Sequence, residues 1–113
     1  MSKYGNESTL MAHVQFDSRA EGEYYLYMLS QVDEGAIKDL HIQPRYELQP
    51  AFVYQGKTVQ PIVYVGDFDF LDVATGKRVV VDVKGFATKE FKLKAKLFRF
   101  KYPDIELRIV EVG

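Results

Sequence analysis

The chain has no cysteine, so it holds neither a disulfide framework nor a thiolate metal site. His13 and His41 are its only histidines, and neither stands at a recognisable ligand spacing. That argues against a zinc centre and leaves any bound metal to oxygen ligands. No stretch reaches the roughly 18 consecutive apolar residues of a membrane span. The opening "MSKYGNESTLMAH" also lacks the hydrophobic core of a signal peptide. These absences predict a soluble cytoplasmic protein with no membrane partner. Internal repeats and low-complexity tracts are missing too.

What is present is the composition of one folded domain: 113 residues, 47% hydrophobic and 27% charged. A flexible N-terminal segment is expected at 1–15, with disorder over Met1–Met11, and a single domain at 16–113. The net charge of −1 conceals a strong segregation. Residues 1–76 carry 5 basic against 11 acidic side chains, whereas residues 77–101 carry 9 against 2, a local +7. Basic residues gathered beside carboxylates point to a polyanionic partner.

Ser18 and Glu21 in "FDSRAEGEYYLYM" have the spacing of a capping box, and Ala20, Tyr24 and Met28 recur every fourth position. A helix is predicted from Arg19 to about Val32, ended by Gly35. Short β pieces broken by Pro44 and Pro50 follow, then a hairpin turn at "YQGK" and a strand near Val59. Ile62–Val73 and Lys77–Lys84 are predicted as strands joined by "ATGK". Thr88–Lys101 reads as a helix with Phe91, Ala95, Phe98 and Tyr102 on one face, stopped by Pro103. A closing strand, "IELRIVEV", completes an α/β sandwich-like domain with a mixed central sheet.

In "GDFDFLDVATGKRVVVDVKG", acids and a lysine interrupt apolar strands. Alternation puts Asp67 and Asp69 on one face, opposite Tyr64, Phe68 and Phe70. It likewise puts Asp82 and Lys84 opposite Val79, Val81 and Val83. With Thr75 and Gly76 as a two-residue turn, Asp69 is expected beside Asp82, Asp67 beside Lys84 and Phe68 beside Val83. Two facing carboxylates about 5 Å apart repel by roughly 3 kcal/mol at an effective dielectric near 20. Lys84 offsets part of this, and a divalent cation offsets more. A solvated face of cross-strand pairs is the bland alternative, but "VVVDVK" is too apolar for an exposed strand.

A helix bearing "SRAE", an acid on one strand, and "VVVDVKG" on the next together resemble the PD-(D/E)XK nuclease superfamily, whose core order is αβββαβ. More narrowly, "FDSRAEGEYY", "LQP", "GDFDF", "VDVKG" and "TKEFKLKAKLF" resemble a small bacteriophage family of nucleases akin to Holliday-junction resolvases. The likeness runs from Phe16 onward. It implies a restriction-endonuclease-like fold, with Asp67 as the acid of the first half-motif and Asp82 and Lys84 as the second. Gly66 stands where the superfamily usually has proline, and Asp69 is a rival to Asp67. The resemblance implies that Asp67, Asp82 and the backbone carbonyl of Val83 hold Mg²⁺ or Mn²⁺. It gives Lys84 the task of orienting water or stabilising the transition state.

Glu21 corresponds to the helix acid of the superfamily and serves equally well as a capping-box residue. Glu23 lies about 200° around the helix from it and cannot share its site. Lys89, Lys92, Lys96 and Arg99 form a stripe suited to DNA backbone contacts, or simply a solvated face, and Thr88 caps the helix or touches a phosphate. Arg45 reads as an exposed edge charge. The expectation is a Mg²⁺-dependent DNA endonuclease acting on branched or structured DNA in phage replication or recombination, in the host cytoplasm. One active site per small chain favours a homodimer for cutting two strands. The alternatives are a non-catalytic nucleic-acid-binding protein using helix 88–101 and an assembly protein of the phage particle.

Overall fold

Ser18 is extended, and its hydroxyl accepts the Glu21 amide at 3.1 Å, which starts helix α1 (Arg19–Asp33). In this computed structural model, residues 18–112 are described. The predicted flexible segment 1–15 lies outside the described residues. Gly35, at φ 79°, carries the chain out of the helix, as expected. The buried side of α1 is Glu21, Tyr25 and Met28, one residue round from the expected Ala20, Tyr24 and Met28. The difference comes from Phe68: Tyr25 stacks on its ring at 5.9 Å, with Tyr24 alongside at 6.1 Å.

Nine further elements follow: β1 (Ile37–Ile42), β2 (Arg45–Gln49), β3 (Phe52–Tyr54), β4 (Lys57–Val59), β5 (Ile62–Val65), β6 (Phe68–Asp72), β7 (Arg78–Lys84), α2 (Lys89–Lys101) and β8 (Glu106–Glu111). The central sheet is ordered β1-β6-β7-β8. Its β1–β6 and β6–β7 pairs are antiparallel, and β7–β8 is parallel. Helix α2 supplies the crossover that a parallel pair requires. With α1 in front, the elements of this layer run αβββαβ, and β2–β5 form two ribbons inserted between β1 and β6. The fold is therefore mixed α/β, as expected.

Strand β7 explains the long apolar run in its sequence. It lies between β6 and β8 and is covered on both faces. Val79 and Val81 pack with Phe68, Phe70, Tyr25 and Met28 on the α1 side. Val80 packs with Tyr64, Ala95 and Phe98 on the α2 side. All three valines are 0% exposed, and burying each contributes roughly 1.5–3 kcal/mol.

Two expectations for this region need correction. Ile62–Val73 is not one strand: β5 pairs with β2 in a ribbon, while β6 joins the central sheet. The break falls at buried Gly66, where a Cβ would lie only 2.6 Å from Val80 Cγ1, so only glycine fits beneath that valine. This break also carries Tyr64 to the α2 side, away from Phe68 and Phe70. The turn after β6 is wider than two residues. The Asp72 amide donates to Lys77 O at 2.8 Å, and 73–76 loop out, closed by Asp72 Oδ1 accepting the Ala74 amide and by Gly76 at φ 73°. The register is therefore Phe68 with Val81 and Asp69 with Val80, two residues from the expected pairing. An even shift preserves faces and changes neighbours.

Candidate functional site

The altered register replaces one acid of the expected pair. Asp69 does not face Asp82. It is 5% exposed and held by His41 Nδ1 at 2.7 Å, Arg78 Nη1 at 3.4 Å and the Tyr46 hydroxyl. Its oxygens are engaged by structural partners, which separates it from Asp67. Burial and the Asp69 carboxylate in turn push the Tyr46 phenol above its ordinary range.

Asp67 stands just before β6, where the ladder is irregular. Its amide donates to Val81 O at 3.0 Å, although Val81 is the register partner of Phe68. This kink swings the carboxylate onto the end of β7, where Oδ2 accepts the Val83 amide at 2.6 Å. From that position the Asp67 carboxyl interacts with the carboxyl groups of both Asp82 and Glu21. Glu21 is 3% exposed on α1. A helix acid and two strand acids therefore converge, and Asp67 is the hinge between the layers. Glu23 points elsewhere, exposed and paired with Arg19 at 3.2 Å.

Asp82 is 1% exposed. Its Oδ2 accepts the Tyr64 hydroxyl. Its Oδ1 is buried with no hydrogen-bond partner among the described residues; the nearest cation is the Lys84 ammonium at 3.7 Å. Burial, reinforced by the Asp67 charge and opposed by Tyr64 and Lys84, pushes its carboxyl up to about 6. Burial also raises Asp67, against the lowering effects of the Val83 amide and Lys84. A shared proton is one way to relieve this pair, and a cation is the other. The two-residue turn would set Lys84 beside Asp67; the observed register places its ion pair on Asp82 instead. Its ammonium lies 4.5 Å from the centroid of the Phe91 ring, which fixes it at the edge of the site.

Among the described residues, no three His, Asp or Glu side chains form a group that would hold a metal by themselves. The oxygen donors at hand are the carboxylates of Asp67 and Asp82, with Glu21 against Asp67 and the Val83 peptide against its Oδ2.

The basic stripe begins close by. Thr88 caps α2, its hydroxyl accepting the Phe91 amide at 3.1 Å. Lys89, Lys92, Lys96 and Arg99 are all exposed, on the flank of a helix whose buried residues are Ala95 and Phe98. Arg99 lies near enough to Tyr64 to pull against the rise of its phenol pKa. Lys94 is outside the stripe and pairs with Glu90 at 3.3 Å.

Sequence reasoning misses Tyr64 and Phe91 as supports of the site. Helical spacing gives Phe91 to the core, and it does pack against Tyr64 at 6.2 Å, but its ring also carries Lys84. Alternation counted through Gly66 puts Tyr64 on the wrong face. The glycine itself, between two apolar strands, is the available signal. No helix among the described residues is long and apolar enough to cross a membrane. No curated protein and no solved structure matches the chain. A family model covers residues 1–112, and the chain belongs to that family, described as Protein of unknown function (DUF1064).

Proposed function

We propose that this protein is a metal-dependent DNA endonuclease of the PD-(D/E)XK type, hydrolysing phosphodiester bonds in branched or structured DNA. The observation that carries the reading is the fully buried Asp82, whose Oδ1 lacks a hydrogen-bond partner among the described residues although Asp67 and Lys84 adjoin it. A buried carboxylate oxygen is normally met by a donor, an ordered water or a cation; beside a second acid, and with one ammonium at 3.7 Å, this one favours a cation. The residues fit Mg²⁺ or Mn²⁺: the donors are hard oxygens, and Mg²⁺ takes one or two carboxylates while keeping several waters. In this reading Asp67, Asp82 and the Val83 carbonyl hold the ion. Once bound, it supplies charge neutralisation at the phosphodiester and an activated water.

The chain's own groups divide the remaining work. The Val83 amide and the Tyr64 hydroxyl each occupy one carboxylate oxygen, fixing Asp67 and Asp82, so that an ion would share the other Asp82 oxygen with Lys84. Lys84, held by Asp82 and the Phe91 ring but still partly exposed, places a positive charge where negative charge accumulates on the scissile phosphate. Glu21 orients Asp67 and accepts a hydrogen bond from the attacking water. Lys89, Lys92, Lys96 and Arg99, with the hydroxyl end of Thr88, hold the DNA backbone.

A homodimer working in the cytoplasm, in phage replication or recombination, completes the proposal. Incubation with linear, flapped and four-way DNA in Mg²⁺, Mn²⁺ or EDTA, beside Asp82→Ala, tests it. Metal-dependent cutting that the variant abolishes is expected. Tight, salt-sensitive binding without cutting would instead favour a non-catalytic DNA-binding protein. Neither binding nor cutting would favour an assembly protein.

A further inference from the structure

The two most exposed large apolar side chains among the described residues are Phe86, 82% exposed, and Phe100, 87% exposed. Neither ring meets another ring or a cation among those residues, unlike Phe91, which carries the Lys84 ammonium, and Phe98, which packs on Tyr64 and Tyr102. One exposed phenylalanine needs no explanation; the placing of these two does. Phe86 stands in the short loop between β7 and α2, with Lys84 before it and Lys89 after it. That loop is held at both ends, by the Val112 amide donating to Lys84 O at 2.9 Å and by the Thr88 cap. Phe100 stands at the far end of the basic stripe, about 40° round the helix from Lys96 by helical spacing. Lys89, Lys92, Lys96 and Arg99 lie between the two rings, along a helix about 20 Å long.

We propose that this side of α2 is a track for a single DNA strand, whose bases stack on Phe86 and Phe100 while its phosphates lie on the cations between them. The inference rests on the functional reading for its choice of DNA. It deepens that reading by naming the part of the substrate that is held, an unpaired arm leading to the carboxylate site. A ring that stacks needs an open base face. A continuous duplex offers none, since each base is covered by its neighbours; a single strand, a flap or an opened junction arm does. Binding of single strands combines a row of cations along the backbone with aromatic side chains under the bases. At 3.4 Å per stacked nucleotide the helix spans about six of them.

Charge and spacing select this occupant. Residues 84–99 carry six basic side chains against one acid, Glu90, and Glu90 is already paired with Lys94 at 3.3 Å. Lys89, Lys92, Lys96 and Arg99 have no ion-pair partner among the described residues. A second copy meeting this face across a two-fold axis would bring the same cations together. A lipid surface takes a continuous apolar face, whereas here cations separate the rings and the exposed Leu93 and Leu97 turn toward the β2–β5 ribbon, where they line a groove. Rings alternating with cations match a polymer that alternates bases with phosphates.

Fluorescence of the full chain in EDTA, where no metal-dependent cutting intervenes, tests the assignment. The chain has no tryptophan, so Phe86→Trp and Phe100→Trp each report on their own position. Oligothymidylate quenches both reporters, and an abasic oligomer of the same length quenches neither. Single-stranded DNA binds the wild type about tenfold or more tighter than a blunt duplex of equal length. Phe86→Ala and Phe100→Ala each weaken single-strand binding by about tenfold, with duplex binding and melting temperature unchanged. Equal or tighter binding of the duplex overturns the proposal. So do reporters that stay unquenched, alanine variants that bind the single strand as the wild type does, an RNA of the same sequence bound more tightly, or phosphatidylserine vesicles that quench both reporters as the DNA does. Asp82→Asn keeps the preference for single strands whatever happens to cleavage: binding without cutting defeats the nuclease reading alone, and cutting without that preference defeats the track alone.

Discussion

Replacing Asp82 by asparagine tests the electrostatics of the site without relying on any substrate. In the folded chain the Asp82 carboxyl is pushed up to about 6 from its ordinary 3.8. At 1% exposure the group receives no relief from bulk water. A raised carboxyl pKa means that the folded state holds the proton more tightly than the unfolded chain. Its contribution to stability is complete below about pH 3.8 and is lost as pH rises through about 6. The full gap corresponds to about 3 kcal/mol, of which roughly half is lost between about pH 5 and about pH 7.5. Urea unfolding in EDTA across that range should show the loss in the wild type and not in Asp82→Asn. The variant keeps an acceptor for the Tyr64 hydroxyl and carries no charge next to Asp67. Near pH 7.5 without metal, it should be at least as stable as the wild type. Adding Mg²⁺ or Mn²⁺ should reverse the order. At about 100 times Kd a bound ion adds about 2.7 kcal/mol to the wild type, and the variant should gain little. Parallel pH curves for the two proteins, or equal stabilisation of both by the ion, would refute the account of a strained carboxylate pair.

Lys84→Ala should leave the fold and DNA binding largely intact and lower single-turnover cleavage by about two orders of magnitude or more, in keeping with the removal of one transition-state charge interaction. Ser18→Ala and Glu21→Gln separate capping from chemistry: the first should cost about 1 kcal/mol of stability with cleavage unchanged, the second should reduce cleavage with a smaller effect on melting. Gly66→Ala should destabilise by roughly 1–3 kcal/mol in chemical denaturation because its Cβ meets Val80 Cγ1, and Val80→Ala in the same chain should recover part of that. Lys92→Ala with Lys96→Ala should flatten the salt dependence of DNA binding. The slope of log K against log salt should fall by roughly 0.9 for each phosphate that is no longer neutralised.

The legibility of this fold in its sequence follows local chemistry. Capping at Ser18 and Thr88, the hairpin at Gln55–Gly56 with both residues at positive φ, and the apolar face of α2 are all settled within a few residues, and each occurs where the sequence predicts it. Register is different, because it depends on loop length. "ATGK" admits a two-residue turn by composition, but the Asp72 side chain caps the Ala74 amide and widens the loop. No periodicity within either strand records that choice. The same limit hides the role of Tyr64, since alternation holds only while a strand continues. The convergence of Glu21 and Asp67 requires tertiary knowledge that α1 and β6 pack together.

The irregular segment between β5 and β6 bears on how the site is built. Were β5 and β6 one regular strand, Tyr64 would lie on the face opposite Asp82, and Asp67 would point to one side of the sheet only. The break at Gly66 brings the Tyr64 hydroxyl onto Asp82, and the kink at Asp67 turns its carboxylate across the ends of β6 and β7, so that it interacts with an acid on α1 and another on β7. The glycine is required because the backbone must pass directly over Val80, which is also the valine that seals the α2 side of the core. Packing and acid geometry are therefore set by one short irregular segment. A substitution that straightened it would disperse the carboxylates even if every charged residue were kept.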